Sequence, residues 1–308
     1  MAGDAIMLAD LVESYIEMRR ACGFAFKSEG SYLLSFAAFS DSVSVNHVRN
    51  ETALAWAAQG KSVHQRARRL GHIRRFARYA RAEDMRHEVP AAVFGSEKGP
   101  RPVPYILSED AVQKIIHAAL QHGSHPLRGK TYGTLFGLLA CTGLRLSEAI
   151  RLLYEDITPD GLLIRNTKFR KSRVVPIHET CRSALNSYIE QRRSYAPFDN
   201  HVFVSVWRRP LGVKAVEMAF DFAAKEAGLP CTPERPRPTP QSLRHTFAVR
   251  ALEKCPDGRD RITKHMVALS TYLGHGNVTH TYWYLEATPD LLRGIANCSE
   301  SFFAGEML

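Results

Sequence analysis

A stretch rich in proline and glycine divides this chain into two parts. Residues 88–110 read EVPAAVFGSEKGPRPVPYILSED, with four prolines and two glycines, and helical patterns stop on either side of them. Proline removes a backbone donor and fixes φ, so such a run is typical of a linker. The chain has 308 residues, more than the roughly 100–200 of one domain. We therefore predict a domain over 1–94, a linker over 95–104 and a second domain over 105–308.

The first domain has the apolar spacing of helices, which predicts a bundle of about four members. Its last helix, within VHQRARRLGHIRRFARYARAEDMRH, places apolar residues on one face and basic residues over the remainder. A helix of this kind is often only a solvated surface, but few acids oppose the charge here, which favours contact with phosphates. The candidate DNA-binding residues of this helix are Arg66, Arg69, Arg74, Arg75, Arg78 and Arg81.

Composition supports a polyanionic partner. The chain has 41 Lys and Arg against 31 Asp and Glu, a net charge of +10. Such a charge is compatible with nucleic-acid binding but does not establish it, because many basic proteins bind no nucleic acid. The six cysteines form no CxxC pair and no spacing typical of metal ligands, so we expect free thiols and no metal. The amino terminus does not resemble a signal peptide, and no window approaches the ~20 apolar residues of a membrane span.

The second domain is predicted to be mostly helical with one small β-hairpin. In 161–177, GLLIRNTKFRKSRVVPI, two β-forming runs flank a basic turn with Lys168, Arg170 and Lys171 at or near its tip. Helices are expected over 178–195, 213–228, 241–254 and 262–273, with a terminal segment near 289–307. The predicted fold class is therefore mostly α with a small β-hairpin or sheet, and the second domain is of the α+β type.

Several separated segments carry residues that could bind or attack a phosphodiester. TGLRLSE places Arg145 beside Glu148, at the predicted start of a helix that continues LSEAIRLL. An arginine at a helix start can bind two phosphate oxygens, and Glu148 could hold it in place or form only an ordinary ion pair. Alone, an arginine at such a position is more often a surface residue.

The last third of the chain supplies the remaining groups. SLRHTF contains Arg244 on a helix with an apolar face, so we expect it at the edge of packed structure. His245 is rotated about 100° round the same helix and is interpreted as a structural hydrogen-bonding histidine. YLGHG places His275 after a predicted helix end. Tyr284, one of eleven tyrosines, lies nine residues beyond His275.

In this order, the motifs resemble the tyrosine recombinase family, the integrases of phage-integrase and Xer type. The similarity extends from about 105 to 300, and the amino-terminal bundle resembles the family's core-binding domain. The resemblance implies a catalytic set that Glu148 supports as a neighbouring acid. Lys171 is an alternative to Lys168 as the hairpin lysine of this set. That set comprises Arg145, Lys168, Gln241, Arg244, His275 and Tyr284.

Gln241 departs from the family, which usually has His or Lys three residues before this arginine. A glutamine amide donates a hydrogen bond but cannot accept the tyrosine proton as a base. Three explanations stay open. Gln241 serves only as a donor while water or His275 takes the proton, the subfamily tolerates the change, or the enzyme is slow or inactive.

The resemblance implies DNA cutting and rejoining through a 3′-phosphotyrosyl intermediate, without metal or other cofactor. Implied partners are a double-stranded DNA recombination site, three further protomers in a tetramer, and accessory recombinases or DNA-bending proteins. The exchanged tail would use Leu291, Leu292, Ile295, Phe302, Phe303 and Met307; packing of these residues within their own protomer is the alternative that stays open. A cytoplasmic, nucleoid-associated bacterial protein that integrates, excises or transposes a mobile element fits this pattern. Two alternatives stay open: a type IB topoisomerase and an inert DNA-binding paralogue.

Overall fold

The chain forms two compact units, Met1–Pro102 and Val103–Leu308, which divide within the proline-rich stretch. The computed structural model describes residues 7–97, 99, 103–165, 172–196, 198–229, 231–232, 237–254, 259–274, 277 and 279–284. Within these ranges, no helix combines the length and the apolar character needed to cross a bilayer.

The first unit is a bundle of four helices, as the sequence predicts. They are α1 (Leu8–Ala21), α2 (Lys27–Ser42), α3 (Asn50–Ala58) and α4 (Val63–Glu83). Helix α4 begins after Ser62, whose hydroxyl accepts from the Gln65 backbone N–H at 3.2 Å and so caps the helix. The face of α4 that carries Leu70, Ile73 and Ala77 is buried against the other helices, which leaves arginines for the remaining faces.

The second unit is built around one long buried helix. Its helices are α5 (Glu109–Leu120), α6 (Pro126–Thr142), α7 (Leu146–Ala149), α8 (Glu179–Tyr195), α9 (Val213–Glu226), α10 (Pro240–Glu253), α11 (Arg259–Leu273) and α12 (Thr279–Tyr282), with a 3-10 turn at Tyr154–Asp156. Helix α6 packs against α5, α8 and α10. Leu135 and Phe136 of this helix are fully buried and belong to the hydrophobic core of the unit.

A three-stranded antiparallel sheet contains the predicted hairpin. Strand β2 (Gly161–Ile164) pairs with β1 (Ile157–Thr158) and with β3 (Arg173–Val175), and Leu162 stands opposite Val175. The mostly helical fold with a small sheet is thus confirmed. The hairpin tip, with Lys168, Arg170 and Lys171, lies outside the described residues, as do His275 and the predicted tail after Tyr284.

The helix that begins after Arg145 is much shorter than predicted. Helix α7 ends at Ala149 instead of continuing through LSEAIRLL. Ile150 and Leu152 are buried, and the Leu152 carbonyl accepts from the Val202 backbone N–H at 2.8 Å. This tertiary bond directs the chain away from the helical path. A helix of four residues does not gather an anion by its dipole, so any phosphate contact of Arg145 depends on its side chain.

Candidate active site

Arg244 is a fully buried cation at the centre of the site. Its side chain, 1% exposed, donates from Nη1 to the Gly143 carbonyl at 2.6 Å and from Nη2 to the Leu273 carbonyl at 2.7 Å. Burial, followed by the nearby charge of Arg145, lowers the pKa of Arg244 to about 10. The guanidinium therefore stays protonated at neutral pH, and it joins the end of α6 to the end of α11.

Two glycines present the carbonyl groups that hold the arginines. Gly143 has a φ of 60°, and a Cβ there would lie 2.5 Å from the Phe247 ring. Gly274 has a φ of 66°, and its carbonyl accepts from Arg145 Nη2 at 2.9 Å. Left-handed backbone suits glycine because other residues pay a steric cost for it. The glycines of TGLR and YLGHG thus allow the turns that aim these carbonyls.

Glu148 binds two arginines from different segments. Its carboxylate accepts from Arg145 Nη1 at 2.8 Å and from Arg173 Nη1 and Nη2 at 3.2 and 2.9 Å. The Arg145 backbone N–H also donates to it, at 3.0 Å. Burial would raise the pKa of Glu148, but the hydrogen bond and charge of Arg173 and the hydrogen bonds from Arg145 outweigh it, so the pKa lies below its usual value. Glu148 therefore fixes Arg145 in place as a charged acceptor.

Arg173 was missed in the sequence. It lies at the start of β3, and its Nε also donates to the Tyr272 carbonyl at 2.8 Å. A signal was available, because residues two apart on a strand face the same way. Val175 is fully buried, so an arginine two positions earlier points toward the interior and needs acceptors there.

The Tyr284 side chain lies against α10. It is 3% exposed and belongs to an apolar cluster with Val249, Leu269 and Leu273. Its hydroxyl oxygen lies 3.2 Å from Nδ1 of His245, and its charge contributes to the pKa of Arg244. His245 is a hydrogen-bonding histidine, as expected, but its partner is the tyrosine that the resemblance selects.

The structure thus brings together four of the predicted residues, which are Arg145, Glu148, Arg244 and Tyr284. Gln241 is exposed in the first turn of α10. Lys168 and His275 lie outside the described residues, so their placement stays a prediction. The group that results, a phenol beside a buried guanidinium with a second guanidinium nearby, is suited to binding and attacking a phosphodiester.

The six predicted DNA-binding arginines of α4 fall into two groups. Arg66 and Arg74 donate from Nε to the carbonyls of Gly60 and Pro90 at 2.8 and 2.7 Å, and Arg69 stacks 3.8 Å above the Trp56 ring. The guanidiniums of that group stabilise the bundle itself. The other group is exposed to solvent and comprises Arg75, Arg78 and Arg81. Within it, Arg75 donates from Nη1 to the Glu97 carboxylate at 3.2 Å.

One group of side chains in the described ranges has atoms close enough to share a metal ion. The ligand atoms of His47, Asp84 and His87 lie within 4.8 Å of one another. However, Nδ1 of His87 accepts the Val48 backbone N–H at 3.0 Å, which leaves the proton on Nε2. The Asp84 carboxylate is already bound by Arg86 at 2.9 Å. These contacts suit a cluster that ties two loops together better than a metal site.

Comparison with known proteins extends over both units. Residues 106–290 match the Phage integrase family. Protein y4rB of Sinorhizobium fredii, an integrase/recombinase by name, is 35% identical over 92% of this chain and 93% of its own length. The tyrosine recombinase XerC of Pseudomonas syringae pv. tomato is 30% identical over 78% of this chain and 75% of its own.

The fold also resembles solved structures. The Tn1549 transposon integrase, solved in complex with transposon right end DNA, has a TM-score of 0.65 and 18% identity, and the alignment covers 95% of this chain and 99% of the other. At this level of identity the likeness concerns the fold alone.

Proposed function

Because this chain belongs to the phage integrase family of tyrosine recombinases, enzymes that cut and rejoin DNA, we propose that it performs site-specific recombination through a covalent 3′-phosphotyrosyl intermediate. Tyr284 attacks the phosphorus and the 5′-oxygen leaves. The phosphotyrosyl ester conserves the energy of the broken bond, so a 5′-hydroxyl can later reverse the reaction on the same or another strand.

The contacts of Arg244 carry this proposal. Through the carbonyls of Gly143 and Leu273 they join the two segments that also hold Arg145. The Tyr284 hydroxyl lies 3.2 Å from Nδ1 of His245, the residue next to Arg244. Guanidiniums that are already oriented stabilise the added negative charge of the pentavalent phosphorus without reorganising. Arg145 and Arg244 take this role, together with His275 if it reaches the same oxygens.

The remaining predicted residues complete the reaction. Lys168, or Lys171 in its place, donates a proton to the departing 5′-oxygen. Gln241, exposed at the start of α10, donates a hydrogen bond to a phosphate oxygen. The exposed arginines of α4 contact DNA phosphates, and Arg170 does so from the hairpin.

The substrate is a double-stranded recombination site, and the reaction moves a mobile element. Two similarities support this, since y4rB is named an integrase/recombinase and the Tn1549 protein is named a transposon integrase. Strand exchange between two duplexes needs four cuts, so the active assembly is a tetramer of this chain on DNA, with tail exchange between protomers. Accessory recombinases or DNA-bending proteins act at the same site.

Covalent capture tests the proposal and also identifies the target sequence. The purified protein is incubated with duplexes that contain a randomised region, protein-linked DNA is recovered under denaturing conditions, and its ends are sequenced. We expect adducts that share one sequence and carry a 3′-linkage. A duplex of that sequence, nicked beside the cleavage position, should accumulate the adduct because the short 5′-hydroxyl fragment diffuses away.

Tyr284→Phe is the essential control, because it removes one hydroxyl from a packed ring. An adduct that persists in this variant would exclude Tyr284 as nucleophile. If the wild type forms no adduct, the chain is better explained as an inert DNA-binding protein. Adducts without exchange between two duplexes, together with relaxation of supercoiled DNA, would favour a topoisomerase.

A further inference from the structure

His245 lies within hydrogen-bonding distance of the Tyr284 hydroxyl, the position that a base must occupy to activate this tyrosine. Its Nδ1 lies 3.2 Å from the tyrosine hydroxyl oxygen, within the roughly 2.6–3.2 Å that proton transfer requires. In the neutral tautomer with the proton on Nε2, the phenol donates and Nδ1 accepts. The ring is half-buried, and imidazole is the side chain whose ordinary pKa lies nearest neutrality.

The ring is held rigidly at this position. The residues on either side of it are buried and bonded: Arg244 to two carbonyls, and Thr246 through its hydroxyl to the Leu107 backbone N–H at 2.9 Å. These bonds prevent α10 from turning about its axis. The Trp283 ring packs edge-on against the imidazole, with 5.2 Å between the ring centroids and an interplanar angle of 74°. A base fixed in this way needs little rearrangement before it acts.

Helix geometry also relates His245 to the unusual Gln241. Residues four apart on a helix lie on the same face, so His245 is one turn further along the face that carries Gln241 on α10. Gln241 cannot take a proton, and the site therefore needs another acceptor. His245 supplies an ionisable group one turn away and already in contact with the phenol.

We infer that His245 is the catalytic base that takes the Tyr284 proton during DNA cleavage, an inference that rests on the proposed phosphotyrosyl reaction. As the phenol oxygen forms its bond to phosphorus, the proton moves to Nδ1 and the ring becomes an imidazolium. The bond from phosphorus to the 5′-oxygen breaks, and that oxygen takes a proton from the hairpin lysine. In rejoining, the imidazolium returns its proton to the leaving phenol oxygen.

His245→Asn is the sharpest substitution, because the asparagine Oδ1 can accept a hydrogen bond near the Nδ1 position but does not titrate. We expect single-turnover cleavage of the captured duplex to fall by about 10²–10⁴-fold, with DNA affinity nearly unchanged. His265→Gln is a matched control, since His265 is a half-buried histidine on the adjacent helix that bonds the Ala251 carbonyl through Nε2. It should cleave at the wild-type rate.

A leaving-group substitution separates a base from a residue that only supports the fold. A duplex with sulfur in place of the bridging 5′-oxygen needs no acid, because a thiolate leaves readily. Lys168→Ala or Lys171→Ala, whichever removes the acid, should regain cleavage on this duplex. His245→Asn should stay slow on it, because Tyr284 must still lose its proton.

A double variant tests whether an imidazole one turn away, on the same face of α10, can replace His245 as the base. Adding Gln241→His to His245→Asn returns an imidazole to the same face, and we expect part of the lost rate to return. The inference is overturned if His245→Asn cleaves at the wild-type rate, or if sulfur substitution restores it. Absence of any adduct with the wild type would instead contradict the phosphotyrosyl reaction itself, so the two failures are distinguishable.

Discussion

The arginines proposed to act in the reaction and those proposed to bind the DNA backbone differ in how their donors are held. In the second unit, Arg244 and Arg173 are buried or nearly so, and carbonyls and a carboxylate hold them. In the first unit, Arg78 and Arg81 on α4 are exposed to solvent. Donors that stabilise a transition state must be fixed before the reaction, whereas contact with a DNA backbone requires only charge within reach of phosphates. The comparison therefore predicts different consequences of removing an arginine from each unit.

Among the substitutions that test this comparison, the largest effect is expected from Arg244→Lys. Lysine keeps the charge but lacks the planar fork that spans the Gly143 and Leu273 carbonyls. Cleavage in single-turnover assays should fall by about 10²–10³-fold, while DNA affinity measured by fluorescence anisotropy changes little. Arg250→Lys, on the same helix and bonded to the Leu107 carbonyl at 3.2 Å, is the control and should remain within a few-fold of wild type. Equal effects of both substitutions would contradict the special placement of Arg244.

The next largest effect concerns the turn that presents a carbonyl to Arg244. Gly143→Ala places a Cβ 2.5 Å from the Phe247 ring at a φ of 60°, which should destabilise the second unit by about 1–3 kcal/mol in urea denaturation. Gly137→Ala is the matched control on α6, because a Cβ there meets only Ile116 at 4.0 Å. That substitution should stabilise the helix by about 0.5–1 kcal/mol. If both substitutions changed the free energy of unfolding in the same direction, the turn would not require glycine.

Some parts of the fold and of the site can be predicted from local sequence patterns, and others cannot. Period-2 and period-3.6 patterns predict elements whose apolar faces are buried, so the hairpin and most helices were foreseen. The glycines of TGLR and YLGHG mark turns through local backbone chemistry. The early end of α7 was not foreseen, because it depends on a bond from Val202 to Leu152, fifty positions apart in the chain.

The contact between His245 and Tyr284 was missed for a similar reason. The two residues are 39 positions apart, and no local pattern shows which tyrosine reaches a given helix face. Arg173 is an intermediate case, since strand alternation indicates that it points inward but does not identify Glu148 as its partner. Local rules thus place the elements, whereas the pairing of functional side chains depends on how those elements pack.

A smaller effect, on the pH dependence of stability, is expected when the charge of Glu148 is removed. Its pKa is lowered from the ordinary value of 4.5, because the bonds from Arg173 and Arg145 outweigh the cost of burial. A lowered folded-state pKa stabilises the protein above the unfolded-state value, and this contribution is lost as the pH falls through the folded-state pKa. The stability difference between wild type and Glu148→Gln should therefore be constant at neutral pH and decrease below about 4.5. Chemical denaturation at several pH values measures it, and a pH-independent difference would contradict the ionic role.

The smallest effect per residue is expected on α4. Replacing Arg78 and Arg81 with Gln should reduce the slope of log affinity against log salt by about 0.9 for each phosphate that is no longer neutralised. Affinity should fall equally for the target and for unrelated duplexes, because backbone contacts carry no sequence information. Arg86→Gln is the control, since Arg86 is exposed but its charge is already paired with Asp84 at 2.7 Å. If Arg86→Gln alters the slope as much as the two α4 substitutions do, pairing with a carboxylate does not prevent an exposed arginine of this unit from neutralising phosphates.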